Sequence, residues 1–304
     1  MNILDSKRSR QGVIYGVLSY GLWGLIPLYF KLVAHVSPLE VLAHRVLWSL
    51  VLLAIVITLL RRWGNLLPAL RSRKVLLTLC ASTLLLSLNW FTYIYAVSTN
   101  QVVAASLGYF LNPLVNVLIG VTLLKERMRR WQSASVLLAG VGVAMLGAPP
   151  IALTLALSFA FYALLRKTVA VDGLLGLFIE TLLLLPLSVG FIVYLEATHV
   201  AAFVVSDAAT CGKLMASGVV TAVPLLLFTA AARRLRFSTL GFLQYLAPTI
   251  QFGLAVTRFG EPMTAEKLAA FGCIWMAVAI YSIDSLRSYQ QQRSSESLRP
   301  VPVE

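Results

Sequence analysis

Tyr109, Asn112, Pro113 and Asn116 are answered 135 residues later by Gln244, Pro248 and Gln251. Positions 109, 112 and 116 share one helical face, and so do 244, 248 and 251. A phenol and several amides offer no nucleophile and no strong acid. Their chemistry is hydrogen bonding, either to a small ligand or to a neighbouring helix. A proline inside a helix leaves a carbonyl unpaired. In lipid such a break is tolerated where the backbone lines a cavity. The recurrence of the stripe across a symmetry axis favours the cavity over interhelical bonding alone.

Other polar and aromatic groups have the same character. Tyr20, Trp23 and Pro27 fall at i, i+3 and i+7 in the first apolar segment. Ser158 and Tyr162 answer Ser19 and Trp23 in the sixth, at an offset of 139. Asn89 and Tyr93 are a turn apart in the third, and Pro224 interrupts the eighth. Rings with a few amides suit a flat, mostly apolar ligand. The same residue types also anchor helices at membrane interfaces, and Trp63 and Trp131 are read that way.

Three titratable groups are gating or coupling candidates: His44, Arg45 and Glu180. Arg45 and Glu180 are again 135 apart and opposite in sign. A charge at a span centre costs roughly 2.5–3.5 kcal/mol on insertion scales. Each lies roughly 8–12 Å deep at 1.5 Å per residue, Arg45 from the outer face and Glu180 from the cytoplasmic face. That argues against a direct pair and for one gate at each mouth. Snorkelling to the headgroups is the alternative. Glu180 could instead carry a coupling proton, or pair with Arg166 and Lys167. Lys31 is expected to snorkel or to pair with Glu40. Glu126 and Glu261 are expected to cap the helix that follows each.

These residues sit on ten apolar segments: 12–33, 40–60, 75–97, 102–124, 132–146, 151–165, 173–195, 214–232, 238–257 and 268–283. Mean hydropathy is +0.84 and charged residues are 12%. That is half the charged fraction of a globular domain. Runs of about 20 apolar residues match a bilayer core and must be helical to pair their own backbone. The last five segments repeat the first five. Leu111-Asn112-Pro113 through Met128 returns as Leu246-Ala247-Pro248 through Met263, and Ala81-Ser82 returns as Ala216-Ser217. Five is odd, so the second set enters from the opposite side. The expected fold is an all-α membrane protein of ten transmembrane helices in two inverted five-helix repeats. Its divisions are an N-terminal tail 1–11, repeats 12–148 and 149–287, and a C-terminal tail 288–304. Both tails are polar and expected to be poorly ordered.

The net charge of +13 is a topology signal and not a nucleic-acid footprint. Twenty of the 25 Lys and Arg fall in the two tails and in the loops near 61–74, 125–130, 166–167 and 233–236, and three fall on the other side. The positive-inside rule then makes both termini cytoplasmic. Cys80, Cys211 and Cys273 give no disulfide framework. The first segment is too long for a signal peptide and is expected to be retained. No Walker A, His-Glu-x-x-His or Gly-x-Ser-x-Gly motif is present. Work by this chain would therefore use gradients or downhill flow. No enzyme activity, cofactor or metal is expected.

Taken as a set, several motifs carry a resemblance. They are Gln11-Gly12-Val13, Trp23-Gly24-x-x-Pro27-x-Tyr29-Phe30-Lys31, His44-Arg45-Val46-x-Trp48-Ser49, Asn89-Trp90, Gly108-Tyr109-Phe110-x-Asn112-Pro113 and Gln244-Tyr245-x-x-Pro248-Thr249. The chain resembles the EamA branch of the drug/metabolite transporter superfamily, and within it the RarD permeases, the chloramphenicol-sensitive protein family. The resemblance implies two inverted bundles, a bacterial inner-membrane location and a central cavity lined from the first, third, fourth, sixth, eighth and ninth helices. It implies permeation of small metabolites or drugs, with the bilayer and a small-molecule substrate as partners and a proton or sodium ion as candidate coupling ion. The rival reading is a non-transporting membrane sensor or scaffold acting through a partner protein.

Overall fold

Seven helices of the computed structural model are long and apolar enough to cross a membrane, and two shorter ones are apolar along their length. The structure describes residues 3–123, 125, 129–205, 208–232, 234–235, 239–240 and 243–297. Expectations placed on Glu126 lie outside these residues. The main helices are α1 (Ile3–Leu32), α2 (Pro38–Leu59), α3 (Arg73–Ser98), α4 (Val102–Thr122), α5 (Arg130–Met145), α6 (Pro150–Thr168), α7 (Gly173–Ala197), α8 (Ala208–Ala232), α9 (Leu246–Thr257) and α10 (Ala265–Ser297). A short helix, Leu66–Arg71, joins α2 to α3, and another, Ala202–Val205, lies between α7 and α8. The described residues contain no β-strand.

The helix ends follow local chemistry. Pro38 and Pro150 occupy first turns, where a missing N–H costs nothing. Asp172 caps α7 by accepting from the amides of Leu174 and Leu175 at 3.1 and 3.3 Å. The α5–α6 hairpin turns at Gly147, whose φ of +65° suits a residue without Cβ. Both tails extend helices: α1 begins at Ile3 and α10 runs on to Ser297. The polar composition at 288–297 lowers hydropathy without breaking a helix already nucleated upstream.

The ninth segment departs from the continuous span expected over 238–257. Gln244 and Tyr245 form a turn, and α9 starts only at Leu246. Pro248 therefore lies in the first turn of α9 and not at mid-helix. Proline at that place has no N–H to donate to the Gln244 carbonyl, so the turn absorbs the mismatch.

Helix packing joins the two halves of the chain throughout. α1 packs on α8 and α9, and α6 packs on α3 and α4. α2 meets α7, α4 meets α9 and α5 meets α10. The α2–α8 contact is close enough that a methyl group on Gly218 would collide with the Trp48 carbonyl. Gly108 approaches the backbone of α6 at Ala152 in the same manner. Small residues at helix contacts let backbones pack tightly in lipid. One apolar core unites Phe30, Val41, Val97, Val102, Ile151, Leu214, Ala255 and Phe271 from eight of the helices. A second, at the other end, unites Leu53, Ile57, Leu79, Leu175 and Phe178. Leu84, Leu137 and Leu187 are exposed.

Candidate functional site

Pro27 helps organise the site through the carbonyl it leaves free. Pro27 cannot bond the carbonyl of Trp23, four residues back. That carbonyl instead accepts the amide of Gln251, Nε2 to O 3.1 Å, from α9. Across the molecule, Ser19 donates to the carbonyl of Pro224 on α8 at 2.8 Å. The counterpart pair lies between α3 and α6, where Asn89 Nδ2 donates to Ser158 Oγ at 3.0 Å and to the Leu155 carbonyl at 3.1 Å. Gln251 and Asn89 thus bind neighbouring helices, the second of the two roles open for the polar stripe.

Around these ties runs a belt of rings. Tyr20 and Trp23 pack on Phe228, with centroids 6.0 and 5.7 Å away. Tyr93 lies 5.7 Å from Tyr109, which continues edge-on to Phe159 and from there to Tyr162. The Tyr109 hydroxyl reaches Asn89 Oδ1 at 3.5 Å, a long contact. The buried Tyr93 hydroxyl and Asn112 Oδ1 have no partner. Asn116, one turn beyond, is exposed. Gln244 is half-buried in the turn before α9. Pro113 sits within α4 and leaves the Tyr109 carbonyl without its helical donor.

Arg45 and Glu180 occupy separate surroundings. Glu180 is wholly buried. Its carboxylate accepts from Ser82 at 2.6 Å and from the Tyr162 hydroxyl at 3.2 Å, and it lies 3.9 Å from Arg166 Nη1. Arg166 lies across Gly176, where any side chain would displace it, and also donates to the Asp172 carbonyl at 3.0 Å. Asp172 in turn pairs with Arg62 at 2.9 Å. Arg45 is 7% exposed and donates from Nε to Thr221 Oγ1 at 2.9 Å. Its guanidinium lies 4.1 Å from the Trp90 ring centroid and 5.6 Å from that of Phe30. His44 stacks on Phe203 at 4.8 Å, and neither ring nitrogen has a partner.

Two expected partnerships differ. Lys31 donates to Asn100 Oδ1 and lies over Phe259, while Glu40 accepts from the Phe203 amide at 3.1 Å. The amides opening the short helix at 202–205 offer Glu40 a fixed partner that a flexible lysine does not. Glu261 caps α4 and not the helix that follows it: its two oxygens accept from Val102 and Val103 N at 2.6 and 2.8 Å. Trp63 bonds Thr58 and meets Phe178 edge-on. Thr221, Ser82, Phe30 and Phe228 were missed. Threonine and serine in apolar runs usually bond their own helix, so only the Ser82–Ser217 repeat pair gave a signal.

Comparison with known proteins agrees with this architecture. The sequence profile of the EamA-like transporter family matches residues 10–148. Protein RarD of Escherichia coli is 42% identical, over 96% of this chain and all of its own. An uncharacterized transporter of Vibrio cholerae is 42% identical over 93% of this chain and 96% of its own. A chloramphenicol-sensitive protein RarD of Pseudomonas aeruginosa is 31% identical over 93% and 97%. One crystal structure, 21% identical, shares the fold with a TM-score of 0.51 over 88% of this chain and 96% of that one. The molecule is a multi-pass helical membrane transporter. It belongs to the EamA-like transporter family, as a RarD-type permease.

Proposed function

We propose that the chain is a secondary active or facilitative inner-membrane permease for small metabolites or drugs, working by alternating access. In this reading ten helices cross the bilayer as two inverted repeats, with both termini cytoplasmic. The observation that carries it is the mirrored pair of polar ties. Ser19–Pro224 joins α1 to α8, and Ser158–Asn89 joins α6 to α3. The partners correspond at offsets of 139 and 135. Such mirrored ties around a belt of rings support a site between repeats that rock against each other. α5, α6 and α9 are short for a span, and local thinning or a preceding turn completes them.

The Glu180, Ser82, Tyr162 and Arg166 cluster is read as the cytoplasmic closure, with the Arg62–Asp172 pair beside it. Glu180 is also the candidate proton carrier, with sodium as the other coupling ion. The larger apolar core is read as the sealed outer end. Flux into proteoliposomes made with the purified chain tests the reading. Saturable, protein-dependent uptake of one solute from a metabolite and antibiotic panel supports it. A chain that inserts fully yet moves none of them would favour the sensor or scaffold.

A further inference from the structure

A guanidinium has five N–H donors in a planar fork. At Arg45 one is used, by Thr221. Trp90 and Phe30 cover the group without accepting any proton in a strong bond. The Nη edge has no hydrogen-bond partner among the described residues. Neither has Arg45 a carboxylate there: the ion pairs are Arg62–Asp172, Arg129–Asp284 and Arg166–Glu180. Glu40 is committed to the Phe203 amide and Glu261 to the head of α4. A buried charge in a membrane protein is normally paired, so Arg45 departs from the rule.

The surroundings are not those of a charge merely stored. Tyr93 meets Phe30, the ring beneath the Arg45 guanidinium, with centroids 6.0 Å apart, and Tyr109 lies 5.7 Å beyond Tyr93. The Tyr93 hydroxyl is buried and unpartnered. A free guanidinium edge is the geometry that binds a carboxylate or phosphate through two parallel N–H bonds. The unpartnered Tyr93 phenol, on a ring packed against the same Phe30, offers a further donor. Trp90, Phe30, Tyr93 and Tyr109 provide apolar faces for the rest of such a molecule. The frame draws on both halves of the chain, because Thr221 is on α8 while the rings are on α1, α3 and α4.

We infer that Arg45 and Tyr93 bind the anionic group of the transported molecule, and that this molecule is a small organic acid whose apolar body lies on the surrounding rings. The inference rests on the permease reading and names the substrate class of its site. The anionic group of a membrane lipid has the same chemistry, and the test separates the two sources.

The experiment uses the purified full chain in neutral detergent. Melting temperature and tryptophan fluorescence are followed against acids paired with their own amides: benzoate with benzamide, phenylacetate with phenylacetamide, phenylalanine with phenylalaninamide. Phosphatidylglycerol is compared with phosphatidylcholine in parallel. At least one acid is expected to raise the melting temperature saturably while its amide does not. R45Q should weaken that acid at least tenfold. Y93F removes a hydroxyl that has no partner, so it should fold normally and weaken the same acid several-fold. A chain that answers no acid, answers amides equally, or responds only to the anionic lipid overturns the inference. So does an unchanged response in both variants. Proteoliposome flux is measured separately. Acid binding without any flux retains the site and rejects the permease. Flux of neutral solutes without acid binding does the reverse.

Discussion

The amide of Gln251 donates to the carbonyl of Trp23, the one that Pro27 leaves unpaired. The gap that Pro27 makes in the hydrogen-bond ladder of α1 is thereby filled by a side chain from the other half of the molecule. Interhelical hydrogen bonds in membranes are worth about 0.6 kcal/mol on average and at most about 1.7. Gln251→Leu should lower unfolding stability within that range. In a Pro27→Ala background the backbone reclaims the carbonyl, and Gln251→Leu should then cost less. Unfolding curves of the four proteins measure the coupling, and additive effects would reject the link between proline and amide.

The polar stripe makes a second prediction. Asn112→Leu and Gln244→Leu should reduce flux while insertion and purification stay normal. Asn89→Leu should reduce flux and also stability, because it severs ties to Leu155 and Ser158. Transport like wild type in both Asn112→Leu and Gln244→Leu would assign the stripe to packing.

Glu180 should be required for any proton coupling. Flux is compared with and without an imposed pH gradient, in wild type and in Glu180→Gln. Stimulation by the gradient is expected to vanish in the variant. Stimulation that persists unchanged would move attention to His44, whose ring nitrogens are both unpartnered, or to sodium.

Topology is tested by reporter fusions. Those after Arg10, Arg73, Arg129 and Arg234 should read cytoplasmic, and one after Thr198 should read external. An external reading at Arg129 contradicts the five-plus-five arrangement.

Much of the architecture was legible because lipid imposes it. An apolar run of span length has one workable backbone conformation, and the residue matches at an offset of 135 relate the two halves in sequence. Partner choice was not legible. Glu261 precedes α10, and spacing alone suggests a local cap; only packing brings it to α4. Lys31 and Glu40 have opposite charges, yet each found a neutral partner closer. The turn at Gln244–Tyr245 was hidden because hydropathy continues through it. Arg45 was recognised as costly in the membrane, but its cage comes from residues such as Phe30 that are indistinguishable from core in sequence.

The cap on α4 has a consequence for how the chain is made. The amide of Val102 is completed by a residue 159 positions later. At 5–20 residues per second, the head of that helix waits roughly 8–30 s on the ribosome for its acceptor. Through that interval the leading half sits in the bilayer with open donors at its rim, and it becomes a finished body only as the trailing half arrives. A chain stopped before Glu261 lacks that acceptor, and it should be cleared by quality-control proteases faster than the full chain.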